Sequence, residues 1–175
     1  MTIKNNITSL LYFIIILIVT PMSAQINTED IQNKIDQTVW KPFKKAFETL
    51  DGEALNNTYA DQVIRVTPQA IDTENVFKKE NTDRFLQNKK NGDQISLDFW
   101  FDDRKTNETT SYEVGFYRIG FTSKEDQTQY SYGQFHIVLE KIKGSWKITQ
   151  DWDTTIIAGQ EIDKAFFERQ QPQKF

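Results

Sequence analysis

Ile95, Leu97, Phe99 and Phe101 alternate with Ser96, Asp98, Trp100 and Asp102, and this period of two commits the segment to a strand with one apolar and one polar face. Three more strand-like segments follow at residues 112–121, 130–141 and 145–153, joined by polar turns of which Lys143-Gly144-Ser145 is the tightest. Strands this long are unusual in a small domain. In residues 112–121 the apolar side also changes, from Val114 and Phe116 to Tyr117, Ile119 and Phe121, as a bulge at Gly115 would produce. Long, bulged strands bend, so the pattern predicts a sheet curled into a cone, with a ligand pocket at its open end.

Before Gly92 the periodicity is helical. Thr28 stands as a cap, Glu29 and Asp30 occupy the first turn, and Ile31, Ile35, Val39, Phe43, Phe47 and Leu50 recur at helical spacing. Pro42 predicts a kink near Trp40 and Lys41. Asp51-Gly52 ends that helix, and Ala54, Leu55, Thr58 and Tyr59 predict a second, short one. Residues 63–67 read as a strand stopped by Pro68. Residues 73–90 read as a third helix that buries Val76, Phe77, Phe85 and Leu86 and stops at Gly92. Near the end, Ile162, Ala165 and Phe166 predict a short helix on the sheet edge or over the pocket mouth. The class is α+β, with N-terminal helices packed on one face of a strongly curved antiparallel sheet.

Composition removes several kinds of chemistry. The 175 residues include no Cys and a single His, His136, which excludes disulfide scaffolds, thiol nucleophiles and multi-histidine metal sites. With 25 acidic against 21 basic residues, and with Lys78, Lys79, Lys89 and Lys90 scattered among acids and amides, a nucleic-acid partner is excluded as well. The first 24 residues read as a signal peptide: Lys4 is the positive start, residues 10–19 are the apolar run, and Pro21-Met22-Ser23-Ala24 precedes a cut before Gln25. No cysteine follows to carry a lipid, and the run is shorter than a membrane span, although Met22 in the third position before the cut leaves an uncleaved anchor as the alternative. Residues 25–175 then form a single domain, periplasmic or secreted, with no membrane contact after cleavage.

Several weak motifs recur in one order along this domain: Phe43-Lys44-Lys45-Ala46-Phe47, Asp51-Gly52-Glu53-Ala54-Leu55, Tyr59-Ala60-Asp61, and Val63-Ile64-Arg65-Val66-Thr67-Pro68. Gly133-Gln134-Phe135, Lys143-Gly144-Ser145-Trp146-Lys147-Ile148 and Asp151 follow them. In order and spacing the chain resembles the NTF2-like superfamily, in particular its SnoaL-like and DUF4440-type domains. The resemblance implies a cone with helices on a curved sheet, and in ketosteroid-isomerase-like members a Tyr donor and a carboxylate base, whose positions here match Phe43 and Thr67. In polyketide-cyclase-like members it implies inward-facing His on the last strand, at positions matched here by Gln150 and Trp152. No family catalytic set is present at these positions.

On the last strand Trp146, Ile148, Gln150 and Trp152 share one face, and Lys147, Thr149, Asp151 and Asp153 the other. With the Trp146 face concave, Gln150 and Trp152 line the pocket, and Trp40 and Tyr59 close it from the two N-terminal helices. His136 is the one group that titrates near neutral pH, and it completes the candidate ligand-binding set. Trp100, an aromatic on the polar face of its strand, is a candidate homodimer contact. Asp102, Asp103, Asp151 and Asp153 read as solvated charge, and no motif calls for a metal or a cofactor. The function these readings support is binding of a small apolar or amphipathic ligand in the cone. Two alternatives stand beside it: a SnoaL-like lyase, isomerase or hydrolase with His136 as general base, and a non-catalytic homodimeric interaction module.

Overall fold

A computed structural model describes residues 27–175 apart from Asp126, so the expected signal peptide lies outside the described residues. The chain opens with helix α1 (Thr28–Ile35), which runs through a π-helical turn (Asp36–Trp40) into α2 (Lys41–Thr49). Asn27 caps α1, one residue earlier than Thr28, by accepting from the Glu29 amide at 3.1 Å. The distortion expected from Pro42 is this π-turn: the Lys41 amide donates to Asp36 O, five residues back, and the extra residue accommodates a proline that has no amide to donate. Leu50 turns left-handed, and Asp51 caps α3 (Gly52–Asn56) through the Ala54 amide at 2.9 Å. The short helix ends before Thr58, whose hydroxyl closes on Leu55 O, and Tyr59 therefore belongs to a strand.

Strand β1 (Tyr59–Val66) pairs with β2 (Ile71–Asp72), and α4 (Val76–Asn91) follows, closed by Gly92 at φ 77°. Only Phe77 and Phe85 of α4 are buried. Val76 and Leu86, expected in the core, are 54% and 52% exposed because they flank the arc that Phe77 and Phe85 define. The long strands are β3 (Gln94–Thr106), β4 (Thr110–Thr122), β5 (Thr128–Ile142) and β6 (Ser145–Thr154). The sheet order is β2-β1-β6-β5-β4-β3, antiparallel throughout except for the parallel β1–β6 pair. A hairpin, β7 (Ile156–Ile157) with β8 (Gln160–Glu161), leads into α5 (Lys164–Phe167). No described helix is long and apolar enough to cross a membrane.

The bulges lie elsewhere than expected. β4 and β5 pair without interruption from Thr110↔Glu140 to Thr122↔Thr128, so no bulge sits at Gly115. One falls on β3, where Phe101 faces Gly115 but Asp103 faces Val114, leaving Asp102 as the extra residue. Another falls on β6, where Ile148 faces Leu139 but Gln150 faces Val138, leaving Thr149 extra. The change of apolar side in β4 has a different origin: Val114 and Phe116 lie on the outer face and are covered, while the inner face carries the buried Glu113 between Ser111 and Gly115.

Over Phe116 that cover is the chain's own C-terminal segment. Phe166 stacks on Phe116 at 4.7 Å, and Trp100, 6% exposed, stacks on Phe116 at 4.5 Å and donates from Nε1 to Phe167 O at 3.0 Å. The segment lies on the outer face, not over the pocket mouth, and Trp100 is thus covered within its own chain and not held out for a second copy. Gln173 N then bonds Phe99 O at 2.7 Å on the edge strand, and Phe175 packs on Phe99.

The inner face receives the helices, and the β3 bulge turns Arg104 onto it. There Glu113, with no exposed surface, accepts from Trp40 Nε1 (2.6 Å), Ser111 Oγ (2.8 Å) and Arg104 Nη2 (3.0 Å). Arg104 also grips Asp36 through two bonds (2.7 and 3.2 Å) and lies 4.1 Å above the Phe101 ring. Burial pushes the Glu113 carboxyl above the usual range, and the Arg104 charge opposes that. Glu113→Ala leaves Arg104 and the Trp40 indole N–H without their partner. It should lower unfolding free energy by about 3–5 kcal/mol in urea titrations, with Glu113→Gln losing less because its amide oxygen still accepts from Trp40.

Candidate functional site

Between the helices and the concave sheet lies a cavity of about 430 Å³. One wall is aromatic: Trp40, Phe43 and Phe47 from the first helices face Phe99 and Phe135 from the sheet, with Trp40 centred 5.2 Å from Phe99 and 5.3 Å from Phe135. Ile95, Leu97, Ile119 and Phe121 extend the apolar lining. α4 contributes Asn81, Arg84 and Asn88, and Arg84 is exposed, which puts this helix where the cavity meets solvent.

A charged cluster occupies the side formed by β1 and β6. The bulge at Thr149 reverses the alternation of β6, so Trp146 and Ile148 face inward but so do Asp151 and Asp153. Arg65 on β1, in register with Asp151, bonds Asp151 Oδ2 through Nη1 and Asp153 Oδ2 through Nη2 at 2.9 Å. The Tyr59 hydroxyl donates to Asp151 Oδ2 at 2.7 Å. Two carboxylates, a guanidinium and a phenol thus satisfy one another, leaving Oδ1 of each aspartate without a hydrogen bond from the described residues. The guanidinium stands between the carboxylates where a cation would otherwise sit, and no metal-binding cluster occurs among the described residues.

Burial, reinforced by the Asp151 charge, pushes the Tyr59 phenol well above its ordinary value. Burial likewise raises the Asp153 carboxyl against the opposing pull of Arg65, and raises the Tyr117 phenol. Tyr117 reaches across β5 at Gly133, where a Cβ would run into its ring and hydroxyl, and the absence of a side chain there turns the phenol toward the cluster. Asp153 thus presents to the cavity a carboxyl whose proton affinity burial has raised.

Of the five residues expected to bind ligand, Trp40 and Tyr59 line the cavity, and Tyr59 does so from β1 instead of a helix. His136, Gln150 and Trp152 do not. The Thr149 bulge turns Gln150 and Trp152 to the outer face, and the alternation of β5, with Phe135 and Ile137 inward, turns His136 there too. His136 stacks edge-on against Trp152 at 4.5 Å, shares a hydrogen bond with the Tyr112 hydroxyl, and has its basicity lowered by burial. Asp151 and Asp153, read from sequence as solvated, are the inward pair. Gln150 and Trp152, the positions that the resemblance matches to inward histidines, thus face outward, and the inward places on this part of β6 belong to Asp151 and Asp153. One signal pointed to them: Arg65 stands in the apolar run Val63-Ile64-Arg65-Val66 and, once buried, needs an acidic partner. Phe43 lines the cavity, whereas Thr67 is used in the turn after β1, accepting from the Ala70 amide.

No family model matches the chain, and no curated protein matches it. Solved structures do. A conserved protein from Planctomyces limnophilus aligns with a TM-score of 0.61 and 18% identity over 72% of this chain and 96% of that one. An NTF2-like protein of unknown function from Shewanella oneidensis aligns with a TM-score of 0.55 and 20% identity over 71% and 98%. For a ketosteroid isomerase-like protein from Erwinia carotovora the values are 0.51, 16%, 71% and 98%. At these identities the likeness is one of fold, and the chain has the NTF2-like fold.

The raised Asp153 carboxyl has a stability consequence. A proton binds it more tightly in the folded than in the unfolded chain, so its favourable contribution is complete below 3.8, the ordinary aspartate value, and is lost as pH rises through the folded one. Urea midpoints measured from about pH 3 to 7 should show wild type losing stability over that window relative to Asp153→Asn. Parallel curves refute the assignment.

Proposed function

We propose that this chain is an exported NTF2-like domain that binds a small apolar or amphipathic molecule in its cone. The cavity carries this reading. Aromatic side chains are abundant enough to fill a cone of this size, yet about 430 Å³ between Trp40, Phe43, Phe47 and the sheet is left open. A recess in the size range of ligand sites, walled largely by aromatic side chains that leave it unfilled, is best explained by an occupant. Aromatic walls suit an apolar body, and the Tyr59, Asp151 and Asp153 cluster offers fixed polar groups to orient it. The reading as a filled interaction module is disfavoured by that space. The reading as an enzyme with His136 as base is disfavoured by the position of its imidazole outside the cavity.

The test uses N-phenyl-1-naphthylamine, an uncharged aromatic whose fluorescence rises in apolar surroundings. Residues 25–175 should bind it saturably, and Ser131→Trp, which places an indole in the cavity from β5, should weaken that binding by about tenfold or more while the urea midpoint holds. Absence of saturable binding, or binding indifferent to Ser131→Trp, overturns the proposal. Export is tested separately. Expressed with its first 24 residues, the protein should be recovered outside the cytoplasm beginning at Gln25, as read by N-terminal sequencing, and an intact N-terminus on cytoplasmic protein counts against it.

A further inference from the structure

The polar stripe of α4 narrows the ligand class. Asn81, Arg84 and Asn88 recur at three- and four-residue spacing and face the cavity on the same side of the helix as the buried Phe77 and Phe85. A helix lying against an apolar cavity ordinarily turns aliphatic side chains to it, and here three hydrogen-bonding groups stand in their place. Arg84 is held in position: Nη2 donates to Asn81 Oδ1 at 2.9 Å, and the guanidinium lies 5.6 Å from the centre of the Phe85 ring.

Glu80, one turn earlier on α4, favours the Arg84 charge only from beyond ion-pair distance. Arg65, Arg104 and Arg118 each pair with carboxylates, while no acidic side chain lies within ion-pair distance of Arg84 among the described residues. The other cavity guanidinium, Arg65, is already spent on Asp151 and Asp153. Partial desolvation and the nearby Arg65 charge work against the Arg84 cation and outweigh the favourable pull of Tyr59 and Glu80, and a bound anion would offset that balance.

We propose that the cone takes an amphipathic carboxylate, its apolar body against the aromatic wall and its carboxylate at the cavity opening, hydrogen-bonded by the Arg84 fork with the Asn81 and Asn88 amides beside it. This rests on the ligand-binding reading above. It assigns Arg84 as the residue that selects the head group, and it makes the Asp151–Arg65–Asp153 cluster the inner polar wall, not the anion site.

The experiment is displacement of N-phenyl-1-naphthylamine by three ten-carbon competitors, decanoate, decanol and decyltrimethylammonium, at about pH 8, where the carboxylate is ionised. Arg84→Gln should raise the decanoate concentration needed for half displacement by about tenfold, shift decanol and the dye itself several-fold less, and be partly rescued by Arg84→Lys. The proposal is overturned if decanoate competes equally well against Arg84→Gln, or if decyltrimethylammonium outcompetes decanoate on wild type. A domain that binds neither the dye nor decanoate fails the ligand-binding reading itself, and this one falls with it.

Discussion

Glu113 is a carboxylate with no solvent contact, and a charge in that position is tolerable only while its partners stay in place. Those partners come from separate parts of the chain. Trp40 ends the π-turn, Arg104 follows the β3 bulge, Ser111 precedes Glu113 on β4, and Asp36, through Arg104, opens the π-turn. The network therefore ties the first helix to the sheet at one place along its length and in one rotation. The π-turn that accommodates Pro42 also turns the Trp40 indole N–H onto Glu113, so a local backbone constraint and a long-range polar contact specify the same geometry.

Both charged clusters on the inner face depend on a single extra residue. Without Asp102 as a bulge, the alternation of β3 would turn Arg104 to solvent, and without Thr149 the alternation of β6 would turn Asp151 and Asp153 outward. Because a strand has period two, one inserted residue exchanges its faces from that point onward. On β6 the exchange decides the chemistry of the cavity. It replaces Gln150 and Trp152 with two carboxylates that Arg65 then bridges.

This explains what could be read from the sequence. The β3 alternation from Ile95 to Phe101, the long helix before Asp51-Gly52 and the stop at Gly92 are local signals, each decided by neighbouring residues, and the fold class followed from them. Trp40 reached the cavity because it sits on the continuous apolar stripe of the first helix. The bulges have no comparable signature: Asp102 and Thr149 are ordinary strand residues, and their extrusion depends on pairing across the sheet. The burial of Trp100 has no local signal for a similar reason. Its cover comes from residues more than sixty positions away, so a strand pattern that looks half exposed is closed by the chain's own end.

The same clusters account for the cavity staying open. Collapse of the helices onto the sheet would have to carry Arg65, Asp151 and Asp153 deeper into an apolar interior, where the aspartate oxygens that Arg65 leaves free would lack partners. Collapse is resisted elsewhere too. The Glu113 network holds the spacing of the first helix from β3 and β4. An aromatic core free of these charges could repack to fill the space, since apolar side chains tolerate many arrangements of the same volume. Paired charges tolerate few. The cone is thus kept open by electrostatic pairs that cannot slide, and the aromatic side chains between them are left facing a space that they line and do not fill.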